Sequence, residues 1–352
     1  MTGPTSATTS ASRVVIVAGA GRSGTSTIAG SLTRLGLYLP QPEVPADESN
    51  PRGFYESQWV VDFHKSLLNR SPVVRTLDSR PEAAGLAASL PTPADAAHLE
   101  AWLGEQLAHP QVLVKDPRAF WFHDLWRDAA TARGAELGFV TMLRHPVEVA
   151  KSRDTHYTPT DRGESFRRQR VTANIAGWCN ACLVTEQVTR PDRRAFVRYA
   201  DLLGEWRAAL GPVIDRLGLD VDTDLTAPHP IDDFIDAGLQ RSESTWDAVD
   251  VPDTLRLVAE GVWEQMNRLA DDPDDPAVTA ALATLRTDYD RLHDHAVGLA
   301  LDHTQTREVH VRRKAKANTR TALEAEYEEQ IAELEAQLEE SQGGGLGRLF
   351  RR

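Results

Sequence analysis

An apolar run at residues 14–18 passes directly into Gly19-Ala20-Gly21-Arg22-Ser23-Gly24-Thr25-Ser26-Thr27, and apolar residues then recur at helical spacing. The β-branched residues of the run predict a buried strand, the glycines a tight turn, and the helical spacing after them a helix. Successive backbone N–H groups at such a turn, together with the positive end of the helix, form an anion site before any side chain contributes. Here Arg22 adds charge, Gly21 and Gly24 let the backbone curl, and Ser23, Thr25, Ser26 and Thr27 add hydroxyl donors. A turn that only joined strand to helix would not need so many donors.

Several ligand classes use a loop of this kind. Gly19, Gly21 and Gly24 satisfy G-x-G-x-x-G, but a dinucleotide fold needs a second apolar strand soon after the first helix. In its place stands Leu39-Pro40-Gln41-Pro42-Glu43-Val44-Pro45, whose prolines cannot sit in a central strand. The outline G-x-x-x-x-G-x-[ST] also fits from Gly19 to Ser26, yet Thr25 occupies the place of the lysine that reaches the β and γ phosphates of a triphosphate. A kinase-like phosphotransferase stays as an alternative, as does a non-catalytic nucleotide-binding protein that recruits a partner through its C-terminal helix.

Further apolar runs at 112–114, 137–143 and 195–199 each precede a turn and a helical pattern. Such alternation predicts an α/β fold, a P-loop-type parallel sheet flanked by helices, with a C-terminal helical extension. Prolines divide the stretch between the first two runs into loops and short helices. Helical patterns occupy 206–217, 255–269 and 277–301, with a loop at 219–230. The expected organisation is a polar disordered tail at 1–12, a main domain at 13–305, a basic linker at 306–321, an acidic helix at 322–341 ended by Gly343 to Gly345, and a Gly-rich basic tail at 342–352. In the acidic helix Tyr327, Ile331, Leu334 and Leu338 alternate spacings of four and three, a short coiled-coil seam suited to self-association or to docking on its own domain.

The formal charge of -13 argues against a partner coated in phosphates, so no nucleic acid is expected and any anion must sit in a local basic pocket. The only cysteines, Cys179 and Cys182, fit helix-face thiols better than a zinc or redox pair, and so a reducing, cytoplasmic setting. No apolar run nears the ~18 residues of a membrane span. Membrane contact, if any, is peripheral, through the tail with its Leu, Phe and Arg residues.

The loop Arg22-Ser23-Gly24-Thr25-Ser26 resembles the 5'-phosphosulfate loop of sulfotransferases, and Leu143-Arg144-His145-Pro146 with Ser152 resembles their 3'-phosphate motif. The resemblance extends through Asn50-Pro51-Arg52-Gly53-Phe54-Tyr55-Glu56, Lys115-Asp116-Pro117-Arg118 and Tyr199-Ala200-Asp201-Leu202-Leu203, in the family's order. It implies the donor 3'-phosphoadenosine 5'-phosphosulfate, a hydroxyl acceptor on a small molecule, glycan or lipid, and no metal. In that reading Arg144 and Ser152 hold the 3'-phosphate, Tyr199 meets the adenine, and Lys115 neutralises the leaving phosphate. Relatives with a histidine base place it just after that lysine, where this chain has Asp116. The base is therefore sought first at Glu56, then at Glu48, then at His64. For Glu56 the competing role is to cap the helix that begins near Ser57; for His64 it is an ordinary place on an amphipathic helix.

Overall fold

The computed structural model describes residues 11–48, 50–71, 75–159, 161–221, 224–235 and 245–346, with side chains as far as residue 339. Most of the tail expected at 1–12, and residues 347–352, lie outside the described residues.

Strand β1 (Arg13–Ala18) leads into helix α1 (Thr25–Arg34). Helices α2 (Gln58–Leu68), α3 (Ala83–Ala88) and α4 (Pro93–Gln106) precede β2 (Gln111–Lys115), and α5 (His123–Ala132) precedes β3 (Glu136–Leu143). Then come α6 (Pro146–Tyr157), the long α7 (Glu164–Thr189) and β4 (Arg193–Arg198). The four strands are parallel in the order β2-β1-β3-β4. The chain leaves β1 toward β2 and returns past it to β3, so the order reverses beside β1. Open α/β sheets bind ligands in the crevice that such a reversal leaves at the carboxyl ends of the strands.

Alternation along β1 buries both sheet faces. Val14 and Ile16 pack with Val112, Val114 and Phe139 against α2, α4 and α5. Val15 and Val17 pack with Leu113, Val140 and Met142 against α1 and against α8 (Tyr199–Gly204) and α9 (Trp206–Leu217). A further cluster joins α6 and α7 to α11 (Asp253–Asp271) and α12 (Pro276–Leu299), which come after the short α10 (Pro230–Phe234). A sheet covered on both faces needs strands that are apolar through their middles, as residues 14–18, 112–114, 139–140 and 195–197 are. The compact unit formed by these elements ends at His293, within α12.

The last element, α13 (Leu301–Leu346), belongs to a second unit. It runs through the stretch expected as a basic linker. Between Gly298 and Gly343 there is neither proline nor glycine, and Ala, Lys, Arg, Glu and Leu all favour helix. Nor do Gly343 to Gly345 end it: glycine weakens a helix but keeps the N–H that its ladder needs. Two smaller expectations change as well. The fourth strand spans Arg193–Arg198, and Tyr199 opens α8 rather than ending the strand. Residues 39–45 form no strand, only bends and an isolated bridge from Glu43 to Ser57, which agrees with setting the dinucleotide reading aside. Among the described residues no helix is long and apolar enough to cross a membrane. Cys179 and Cys182 are free and buried in α7, and burial pushes both thiols well up.

Candidate functional site

The loop between β1 and α1 is shaped by what lies against it. Gly19, with φ +132°, passes so close to β3 that a Cβ would stand 2.9 Å from the carbonyl oxygen of Met142. Gly24 caps α1 with φ +92°, and a Cβ there would fall 2.3 Å from Cδ2 of Tyr199. Tyr199 therefore lies flush on the loop only because position 24 has no side chain. It is buried, its hydroxyl pairs with Thr27, and burial raises its pKa. Arg22 also adopts a left-handed φ of 82°, a conformation that costs a non-glycine residue about 1–3 kcal/mol.

One end of this loop is crowded with cations. Arg22 donates from Nε to Oγ of Ser152 at 3.0 Å, and its Nη2 meets Nε2 of His156. Arg144 donates from Nη1 to the carbonyl of Arg22 at 3.2 Å, and its guanidinium carbon lies 4.7 Å from the centre of the Tyr199 ring. Arg153 stands beside Gly21, where a Cβ would be 3.5 Å from its Nη1, and holds Oδ1 of Asn174 at 3.1 Å. Burial lowers the pKa of both Arg22 and Arg153, because a desolvated cation lacks the water that stabilises charge. The carboxylate bonded to Arg144 is Glu148, at 2.7 Å. β3 ends at Leu143, Pro146 opens α6, and Ser152 lies along that helix, which brings both Arg144 and Ser152 to the loop. What they meet is Arg22.

The other end is an ion pair. Lys115, at the carboxyl end of β2, is 4% exposed and pairs through Nζ with Oε1 of Glu56, while the same Nζ lies 3.4 Å from Oγ of Ser26. Asn50 donates to Ser26 Oγ at 3.2 Å and to the Gly53 carbonyl at 2.6 Å, tying the segment that carries Glu56 to the loop. Ser57, not Glu56, is the N-cap residue of α2, so the side chain of Glu56 serves the pair with Lys115 rather than the helix end.

Between the two ends lies Ser23. It is 1% exposed, and its Oγ has no hydrogen-bond partner. A buried hydroxyl left unpaired costs about 1–3 kcal/mol, and in a phosphate-type loop the partner that removes this cost is an anion. Thr25 is buried beside it at the start of α1.

Among the described residues, the other two base candidates make no hydrogen bond or ion pair with Lys115 or the loop. Glu48 is exposed. His64 is fully buried: Trp126 donates to its Nε2 at 2.9 Å, and its Nδ1 lies 3.6 Å from Oδ2 of Asp116. Burial alone would raise the pKa of Asp116, but His64 and Arg118 outweigh it and hold the carboxyl below its ordinary value. Arg118 pairs with Asp116 at 2.7 Å. His64 and Asp116 are thus buried together, with Arg118 paired to Asp116 from a half-buried position three residues after Lys115. Sequence reasoning did not single out Arg153 or His156, and named Asn50 only as part of the motif that ends at Glu56. His156 is one helical turn after Ser152, and that i, i+4 spacing would have found it.

No sequence-family model matches the chain, and no characterised protein matches it in sequence. Among solved structures, the sulfotransferase domain from the Synechococcus PCC 7002 olefin synthase is similar with 18% identity and a TM-score of 0.44, over 73% of this chain and 95% of that one. The sulfotransferase domain from the curacin biosynthetic pathway is similar with 14% identity and a TM-score of 0.40, over 73% and 98%.

Proposed function

We propose that this chain is a sulfotransferase that moves a sulfuryl group from 3'-phosphoadenosine 5'-phosphosulfate to a hydroxyl acceptor by metal-independent in-line displacement. The observation that carries the reading is the unpartnered Oγ of Ser23, buried in a loop with Arg22, Arg144 and Arg153 at one end and the Lys115–Glu56 pair at the other. The residues fit a donor with two separate anionic groups: the α1 N-terminus with Ser23, Thr25 and Lys115 for the phosphosulfate, and Arg144 with Ser152 for the 3'-phosphate.

When bound, the donor supplies the sulfuryl group and leaves as adenosine 3',5'-bisphosphate. Glu56 accepts the proton of the acceptor hydroxyl, since an alcohol is a weak nucleophile until a base takes that proton. Lys115 holds positive charge between this carboxylate and the loop, where negative charge grows on the leaving phosphate. Tyr199, flush on Gly24 and under Arg144, is the aromatic residue that the resemblance assigns to the adenine end of the donor. Arg22 donates to the Ser152 oxygen, which leaves the hydroxyl proton of Ser152 to be donated in a hydrogen bond to the 3'-phosphate.

The test is thermal stabilisation by adenosine 3',5'-bisphosphate, AMP and NAD, each without added metal, and by ATP with magnesium. Bisphosphate at a hundredfold over its dissociation constant should add about 2.7 kcal/mol and exceed the other three. Equal stabilisation by AMP would remove the 3'-phosphate site from the reading, and a lead for ATP with magnesium would pass it to the phosphotransferases.

A further inference from the structure

Helix α13 carries its charge in two blocks. Residues 307–320 hold Arg307, Arg312, Arg313, Lys314, Lys316 and Arg320 against one carboxylate, Glu308. Residues 322–339 hold seven glutamates and neither lysine nor arginine. Every described side chain from 301 to 339 is exposed, including Leu323 at 46%, Tyr327 at 62%, Ile331 at 54% and Leu334 at 64%. Within the helix the blocks meet at the junction, where Arg320 bonds Glu324 at 2.8 Å. A helix that merely stayed solvated would gain most from charges alternating at i, i+4 along its length. Segregation into blocks forfeits that gain, and an apolar stripe in the acidic block adds to the cost.

We propose that α13 pairs in antiparallel fashion with α13 of a second copy of this chain, the two-fold axis passing near residue 322. The orientation is set by charge. A parallel pair, or an antiparallel pair limited to the seam, sets the glutamates of one copy against those of the other, and like charges side by side oppose association. Only full antiparallel overlap lays each acidic block along the partner's basic block, and the two-fold makes the two halves identical and closed. With the axis at 322, residue 331 faces residue 313 and residue 327 faces residue 317. Ile331 then packs on the aliphatic stem of Arg313, whose guanidinium reaches the glutamates flanking the seam, and Tyr327 packs on Ala317. In this arrangement the apolar stripe of each acidic block meets a basic block that is not itself apolar.

The experiment uses the full chain. Light scattering should give a dimer at low salt whose dissociation constant rises at least about tenfold between 0.05 and 0.5 M sodium chloride. The triple reversal Arg312→Glu, Arg313→Glu, Lys314→Glu should weaken the homodimer by at least that factor, as should Glu328→Lys, Glu329→Lys, Glu333→Lys, and an equimolar mixture of the two variants should recover a dimer. Orientation is read by spin-labelling Val309→Cys in otherwise native sequence, native Cys179 and Cys182 being buried. Antiparallel pairing puts residue 309 opposite residue 335, so two labels stand roughly 40 Å apart at 1.5 Å of rise per residue. Parallel pairing puts them roughly 10 Å apart, about one interaxial distance. A chain that is monomeric at every salt concentration, a dimer indifferent to salt, a short label distance, or failure of the mixture to recover a dimer would each overturn the proposal. If either reversal loses helicity by circular dichroism, the native salt series and the label distance decide by themselves.

Discussion

The two ends of the loop between β1 and α1 handle charge in opposite ways. At the Lys115 end, cation and carboxylate are both nearly buried and satisfy one another, with Ser26 and Asn50 locking the pair to the loop. At the Arg22 end, Arg22, Arg144 and Arg153 cluster about Ser152 and His156, and the carboxylate bonded among them is Glu148. A closed pair is built to keep a geometry; an open cluster of cations is built to receive an anion. The same loop thus separates positioning from binding, and mutations at its two ends should have distinguishable signatures.

The largest effect is expected at the closed end. Glu56→Gln keeps the shape but cannot accept a proton, so single-turnover transfer should fall by about 10²–10⁴ while bisphosphate affinity stays within about twofold. Donor affinity, transfer rate and melting temperature measured on one preparation check this. Full transfer in a well-folded variant would move the base to Glu48, whose exposure suits contact with an acceptor better than the burial of His64.

At the centre of the loop, Gly24→Ala should strain the backbone at φ +92° and drive a methyl group into the Tyr199 ring. A side chain at such a φ costs about 1–3 kcal/mol, and the displaced ring no longer lies flush on the loop. Melting temperature and bisphosphate affinity should fall together. Adding Tyr199→Leu should make the combined stability loss smaller than the sum of the single losses, since the two changes share one contact. Strict additivity would show that the ring yields without cost.

Much of this was legible in the sequence because it depends on local order. The strand, turn and helix at the first loop are continuous in the chain, so period and turn chemistry were enough, whereas Arg144 and Ser152 were singled out by the family resemblance. Partnerships across the fold were not legible. Nothing local tells that Arg22 will reach Ser152, that Glu56 will reach Lys115, or that Arg153 will stand against Gly21. Those depend on β1, β2 and β3 lying side by side. His64 shows the converse: its amphipathic place was readable, but whether it faced solvent, site or core was decided by Trp126 and Asp116. The basic block of residues 307–320 lies within α13, where its Ala, Lys and Arg residues favour helix.

The open end should respond more gently, and unequally. Arg144→Ala should cost bisphosphate about 1.5–3 kcal/mol, the range for a charged hydrogen bond, and Ser152→Ala about 0.5–1.5 kcal/mol. Both losses should shrink for AMP, which lacks the 3'-phosphate. Identical losses for the two ligands, by titration calorimetry, would show that these residues brace the loop and do not meet the 3'-phosphate.

The smallest effect is a pH dependence at His156. Burial and then the charge of Arg22 hold its pKa below the ordinary histidine value. Between that lowered value and the ordinary one, the unfolded chain binds the proton and the folded chain does not. The contribution of His156 to stability is therefore present above about pH 6.5 and lost as pH falls toward the folded value. An anion at the open end reverses the electrostatic part, because it favours a protonated imidazole beside it. Bisphosphate affinity should then gain from His156 as pH falls from 8 to 6, by no more than about 1 kcal/mol since the residue is exposed. The ligand's own phosphates also titrate near pH 6 and lose charge over this range, which would mask the gain in a single curve. The ratio of wild-type to His156→Gln affinity at each pH cancels the ligand's protonation and isolates the residue. That ratio should rise steadily toward low pH; a flat ratio would place the bound anion away from His156 and leave it to Arg22, Arg144 and Arg153.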